Sequence, residues 1–599
     1  MSQSGGDAKF DNAYENQAKL FLENYLSTDS NLDHSDMEND IINSNFTNDE
    51  ISTAIDQLKN NKCPGADSIP PEFIKVCKNE LKGDIKNLFN YIICQKHFPI
   101  RWAEGIKSAI FKNGDKSDVN NYRGISVPKI FERIFEILVL NRLQFVNDAF
   151  SHVDESNGGF LKGRRTSDNI FILNGLIQKQ ILLSKKLYVC FIDFSKAFDL
   201  ISRHILFYKI IKGGWKGRVI DRLMDLYMKT HYRVKKDGKL SSIIKNYLGV
   251  NQGGIASGFL FRKYMSDLSE YLRNEFGVPI GDMIMVHLLW ADDLILISDT
   301  VEGIKKQLNG LKIFCEKNRM VINELKTKIM VFGSNETVCI EFNGSIIEQV
   351  AQYKFLGCIF HSIHRSNSDV FKAQYTYLCD QARKALFGIK RKLKNVGPLP
   401  PKTMFYIFDT LLKPIITYGS DVWGTKKSGR ELMDKFFLKF AKDVLLVKQS
   451  TSNLMVVGES GQLLPSVYCI YNTVTYLNRI HHLGDHTFVK QVYNELSKMH
   501  RCGFNNWYSR AWELVSKYNL ELEYNQYRFK TKAKLSIHNE FRRIWFNDIN
   551  DSTNNPITRT YKLFKYRQAL TRLRTSSHAL RIESARHEQD VPPIEDRLC

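Results

Sequence analysis

No apolar run in the 599 residues reaches the roughly 18 needed to cross a membrane as a helix. The opening Met1-Ser2-Gln3-Ser4-Gly5-Gly6 has no apolar stretch behind it, so it does not read as a secretory signal. The 11 cysteines are an odd number and include no Cys-x-x-Cys pair. That pattern gives neither an evident zinc module nor a disulfide framework, and it fits reduced thiols in the nucleus or cytoplasm. His361 and His364 are too isolated to suggest a metal site. There is no internal repeat and no long low-complexity segment, and 43% apolar residues argue against wholesale disorder. Acid is scarce relative to base, with 64 Asp and Glu against 85 Lys and Arg and a net charge of +21. Such an excess favours a polyanionic partner. The balance is uneven: residues 1–60 hold 3 Lys/Arg and 12 Asp/Glu, which leaves +30 on the remainder.

What the chain does contain is a pair of adjacent acids, Asp292 and Asp293, between apolar runs. Met283 to Val286 precede them and Leu294 to Ile297 follow, a pattern that predicts the tip of a β-hairpin. Two carboxylates between buried strands need compensation by Arg, Lys or a hard cation bound through oxygen. A second acid, Asp193, ends the near-continuous apolar run Leu187 to Ile192, which suits a strand covered on both faces. If that strand lies beside the hairpin, Asp193 and Asp292 converge. Two convergent carboxylates can hold two Mg²⁺ ions about 4 Å apart, the arrangement that supports in-line nucleotidyl transfer.

These segments resemble motifs A and C of reverse transcriptases, most closely those of non-LTR (LINE-type) retrotransposons. Motif A corresponds to Phe191-Ile192-Asp193 through Phe198-Asp199, and motif C to Trp290-Ala291-Asp292-Asp293. Other blocks follow in family order. Asn60 to Lys75 and Asn121 to Ser126 look like fingers motifs, and Gly159 to Asn169 resembles an insertion before motif A. Gly249 to Ser257 resembles motif B, Asn323 to Lys328 motif D, and Tyr353 to Gly357 the primer grip. Thr417 to Trp423 matches a thumb-side block, and Leu573-Arg574 with the segment to Cys599 resembles the family's tail.

The resemblance implies an RNA-directed DNA polymerase that adds dNTPs to a DNA primer on an RNA template, with two Mg²⁺ ions and Mn²⁺ as an alternative. Asp193 and Asp292 would ligate metal, with Asp293 as a supporting acid. Phe198, five residues past Asp193, would be the steric gate against ribonucleotides. Lys62 and Arg123 would neutralise triphosphate charge. Gln252 and Gly253 would pack under the template base and the incoming nucleotide, and Lys326 would approach the leaving pyrophosphate. Two departures stand out: Trp290 replaces the usual Tyr or Phe, and Gly258 replaces the usual Pro, a change expected to loosen that segment. The alternative is a catalytically inactive or domesticated remnant that binds nucleic acid. A maturase-like role is weaker, because the 417–423 block and the tail point to the LINE type.

The implied fold class is α+β, a right-hand polymerase with fingers, an antiparallel palm sheet and a helical thumb. Residues 1–44 read as an acidic extension, 45–335 as fingers and palm, 336–455 as primer grip and helical thumb, and 456–599 as a basic helical region of unassigned role. Helical spacing at Ile304, Leu308, Leu311 and Cys315 predicts a palm helix over the sheet. The basic stretch from Arg383 to Lys394 predicts a helix that tracks a duplex backbone. No endonuclease domain is expected ahead of the fingers.

Overall fold

The computed structural model describes Leu20 and residues 37–551, apart from 96–97, 113, 150–154, 237, 366–367, 395–396 and 398. The expectations for residues 1–19 and 21–36 and for the tail from Leu573 lie outside these residues.

The strand Leu187–Asp193 explains why the molecule has two cores. Side chains alternate across a strand, so a continuous apolar run is stable only where both faces are covered. Here Tyr188, Cys190 and Ile192 enter one core, shared with the fingers and the palm helices. Leu187, Val189 and Phe191 enter the other, shared with the thumb and the C-terminal helices. Its neighbour Asp293–Ser298 divides the same way, Leu294 and Leu296 to the first core and Ile295 and Ile297 to the second. The palm sheet runs Glu348–Gln349, Lys328–Phe332, Leu187–Asp193, Asp293–Ser298, His287–Trp290. All its pairings are antiparallel except that of the short Glu348–Gln349 edge. The molecule is α+β, with helices packed on both faces of a largely antiparallel sheet.

Helix Val301–Lys317 covers the first face, burying Ile304, Leu308, Leu311 and Cys315 as their spacing predicts. Its N-cap Thr300 accepts a hydrogen bond from the Gly303 amide at 3.1 Å, which fixes where the helix leaves the sheet. On the second face lies Thr166–Leu182, buried almost all round because helices from far down the chain pack on its outer side. The fingers carry a second sheet. Glu104–Phe111 pairs antiparallel with Tyr122–Val127 and parallel with His231–Lys236.

Beyond the palm, short strands include Gln352–Phe355 and Cys358–His361, followed by helix Lys372–Leu393. That helix buries Gln374, Tyr375, Leu378, Cys379 and Ala382. From Arg383 onward its basic side chains are exposed. Helices Pro465–His481, Phe488–Arg501, Trp507–Lys517 and Gln526–Asp551 complete the described chain. No helix among the described residues is long and apolar enough to cross a membrane.

Candidate active site

Register brings the acids together. Strand Asp293–Ser298 pairs antiparallel with Leu187–Asp193 so that Asp293 stands directly opposite Asp193. On its other side Asp293 pairs with Trp290, leaving Ala291 and Asp292 as a two-residue turn. Ala291 has φ +57°, the positive value that tight hairpin turns require at their first central residue. The hairpin arm is His287–Trp290 rather than the whole apolar run from Met283. Met283–Met285 pairs instead with Val278–Ile280 in a separate ribbon.

Crowding three acids at one sheet end shows in the protonation of Asp193 and Asp293. The Asp293 carboxyl is pushed up to about 6, first by partial burial, then by Asp292 and Asp193. Its side chain stays open to solvent on the strand's outer end, so the surrounding protein weakens its hydration without enclosing it. Asp193 is also raised, by burial and by Asp292, against the opposing pull of Lys326 and Lys112. Lys326 Nζ lies 3.8 Å from Asp193 Oδ2, but the lysine is 68% and the aspartate 37% exposed. Such a pair compensates little, under about 1 kcal/mol. Its loop is better anchored: the Asn323 amide donates to the Asp193 carbonyl at 2.7 Å, and Ser195 donates to Val321 at 2.8 Å.

Both shifted acids hold protons more tightly in the folded chain than in the unfolded one. Their ionisation therefore opposes folding increasingly as pH rises from the ordinary aspartate value of 3.8 through about 6. In chelator, the melting temperature is expected to carry a downward component between about pH 4 and about pH 7. Asp293→Asn should flatten that component, and a pH series of melts on both proteins checks it. Ion binding should weaken over the same range as pH falls.

Among the described residues no three His, Cys, Asp or Glu side chains converge as a ready-made metal cage. A cation held by one or two carboxylates and completed by substrate phosphates does not need one. The weakly compensated charge on Asp193, Asp292 and Asp293 fits such a cation.

The remaining residues singled out by sequence fall into place unevenly. Gln252 and Gly253 sit against the fingers strand: the Gln252 carbonyl accepts from the Ser126 amide at 2.7 Å, and a Cβ on Gly253 would stand 2.7 Å from the Ser126 carbonyl. The Gln252 amide also donates to Asp199 at 3.2 Å, one residue past Phe198. Phe198 is half-buried and stacks on Phe261 with centroids 4.4 Å apart. Arg123 is exposed on the fingers strand opposite Ile110. Lys62 is exposed in the loop before Pro71–Val76, and among the described residues no hydrogen bond or ion pair ties it to the aspartates.

Sequence reasoning missed Lys112 and gave no individual role to Tyr353 and Asp199, which it named only within the primer grip and motif A. Lys112 follows strand Glu104–Phe111 and its charge reaches Asp193. Its amide donates to the Asn121 carbonyl at 2.8 Å, placing it near Arg123 on the same hairpin. Reading residues 104–127 as a hairpin would have found it. Tyr353 stacks on Phe191 at 4.1 Å, and its hydroxyl is pushed up to about 12 by burial and by Asp193 and Asp293. Asp199, which holds Gln252, was visible only as part of motif A.

Glycines fit the hairpin to its neighbour. Leu289 and Gly158 exchange backbone hydrogen bonds with the 156–158 segment and Leu289 respectively, at 2.8 and 3.0 Å. A Cβ on Gly158 would meet the Trp290 ring at 3.2 Å, and one on Gly159 would collide with the Ala291 amide. Gly258 has a similar reason. It lies in the first turn of helix Ser257–Tyr264, where a Cβ would stand 2.7 Å from Cγ of Phe160. The segment expected to be loosened by this glycine is packed there.

Residues 110–360 match the family described as "Reverse transcriptase (RNA-dependent DNA polymerase)". The chain is 23% identical over 395 residues to the "RNA-directed DNA polymerase from mobile element jockey" of Drosophila melanogaster, covering 63% of this chain and 41% of that protein. It is 25% identical over 366 residues to the "Retrovirus-related Pol polyprotein from type-2 retrotransposable element R2DM" of the same species, covering 59% and 32%. The chain thus spans less than half the length of these relatives. Telomerase from Candida Tropicalis, solved in complex with a fragment of telomeric RNA, aligns over 70% of this chain and 68% of that one at TM-score 0.32 and 14% identity.

Proposed function

From the premise that this chain belongs to the reverse transcriptases of non-LTR retrotransposon type, we propose that it is an RNA-directed DNA polymerase extending a DNA primer with dNTPs. The observation that carries the reading is the pairing of Asp193 with Asp293 beside the turn that presents Asp292. Asp193 and Asp292 would hold two divalent ions, Mg²⁺ with Mn²⁺ as a substitute, and Asp293 supports them through its charge. When bound, such ions activate the primer 3′-hydroxyl and stabilise charge on the attacking and leaving oxygens.

The chain's own groups bind and orient the nucleotide. Arg123 and Lys112 on the fingers hairpin supply cations for the triphosphate, with Lys62 a further one from its exposed loop. Lys326, whose Nζ lies 3.8 Å from Asp193, would approach the departing pyrophosphate. Phe198 stands at the sugar, and Gln252 with Gly253 forms the floor beneath the base pair. The exposed basic face of helix Lys372–Leu393 takes the duplex backbone.

The test is incorporation of dNTPs on a primed RNA template. Templated products that require a divalent ion support the polymerase, whereas salt-sensitive RNA binding without incorporation favours a binding-only remnant. Replacing Lys384, Arg391 and Lys392 by Glu is expected to weaken primer–template binding. It should also lower the slope of log K against log salt by about 2 to 3, read from a salt titration.

A further inference from the structure

Three observations beside the aspartates converge on Phe160. Its side chain is 46% exposed although large and apolar. Its φ of +61° lies where residues with a Cβ are uncommon, so surrounding contacts hold its backbone there. Gly159, next to it, is wedged against Ala291 in the turn that carries Asp292. The Phe160 ring then meets Phe198 edge to face, with centroids 6.1 Å apart and planes at 78°. Phe198 is stacked on Phe261 at 4.4 Å and 14°. The space the Phe160 ring occupies exists because position 258 has no Cβ.

We propose that Phe160 is a positioning residue for sugar selection, holding the Phe198 ring where the 2′ position of an incoming nucleotide would lie, and that Gly258 is its steric counterpart. The inference rests on the polymerase reading above. An aromatic gate excludes a 2′-hydroxyl only if the ring cannot swing aside, because a yielding wall admits the larger sugar. Phe261 stacks on the Phe198 ring and Phe160 meets it edge to face, so two separate contacts restrict it. The same segment is fixed to the catalytic turn through Gly159, so the gate keeps its place relative to Asp292.

The experiment compares wild type with Phe160→Leu, Phe160→Tyr, Gly258→Ala and the Phe160→Leu/Gly258→Ala double variant, each checked for folding by thermal melting. Discrimination is the ratio of kcat/KM for a dNTP to that for the matching rNTP. Phe160→Leu is expected to lower it by about tenfold or more, mainly through a lower KM for the rNTP. Phe160→Tyr keeps a ring and should retain discrimination. Gly258→Ala, by displacing the ring, should match Phe160→Leu, and the double variant should be no worse than either. A second arm needs no turnover: competition of dATP with ATP for the primer–template complex in Ca²⁺. Variants that retain the wild-type preference in both arms overturn the assignment while leaving the polymerase reading intact. A wild type that incorporates nothing but prefers dATP, with the preference lost in Phe160→Leu, sinks the polymerase reading and leaves the role of Phe160 standing.

Discussion

Asp193→Asn and Asp292→Asn are each expected to cut primer extension by about 10³-fold or more, equivalent to losing several kcal/mol of charge stabilisation in the transition state. The fold should survive both changes. Burial and Asp292 raise Asp193, so its ionisation at neutral pH opposes folding in the absence of cations, and an amide removes that penalty. The backbone that places Asp193 does not depend on its carboxylate: the carbonyl accepts from Asn323 and the strand ladder runs on both sides. Loss of activity with a melting temperature no lower than that of the wild type and unchanged RNA affinity would therefore report ion binding. Asp293→Asn should cost less, since Asp293 supports the site through charge. Gel-resolved single-nucleotide kinetics on the three variants would rank them.

The second large effect is structural. Asp168, at the start of helix Thr166–Leu182, is 2% exposed and receives both arms of the Arg479 guanidinium, at 2.6 and 2.9 Å. Tyr476 donates to the same carboxylate at 3.0 Å, and Arg479 also donates to the Gly163 carbonyl at 2.7 Å. Ser167 next door donates to Asp421 at 2.6 Å. Thus the insertion before motif A is clamped to the 417–423 block and to helix Pro465–His481. Removing one partner strands a buried charge, so Arg479→Ala or Asp168→Ala should each destabilise the chain by about 3–5 kcal/mol. The double variant Asp168→Ala/Arg479→Met should lose less than the two single costs combined, because no charge is left alone. Denaturant melts check this, and accelerated proteolysis of the C-terminal helices would accompany the single variants.

These two results bear on what the sequence could reveal. The run Leu187 to Ile192 announced a strand covered on both faces because continuous apolarity has few other uses, and the two cores divide it as alternation requires. The helix over the sheet was legible from Ile304, Leu308, Leu311 and Cys315. The meeting of Asp193 with the hairpin was a conditional reading, since nothing local says which strands pair. Other long-range pairings left no such trace. Asp168 and Arg479 are separated by 311 positions, and an Asp near a helix start reads locally as a cap. Gly258 read as a loosened turn because its counterpart, Phe160, lies far upstream. Lys112 escaped because one lysine after a strand carries no signal until the hairpin register sets it near Arg123.

The measurement that tests the central claim most directly is extension of a DNA primer on an RNA template with dNTPs, wild type beside Asp193→Asn, with and without a divalent ion. The account predicts extension by wild type only when the ion is present, and none by Asp193→Asn at equal folding and equal template binding. Extension by Asp193→Asn at the wild-type rate, or none by a folded wild type that binds the primed template, would contradict it.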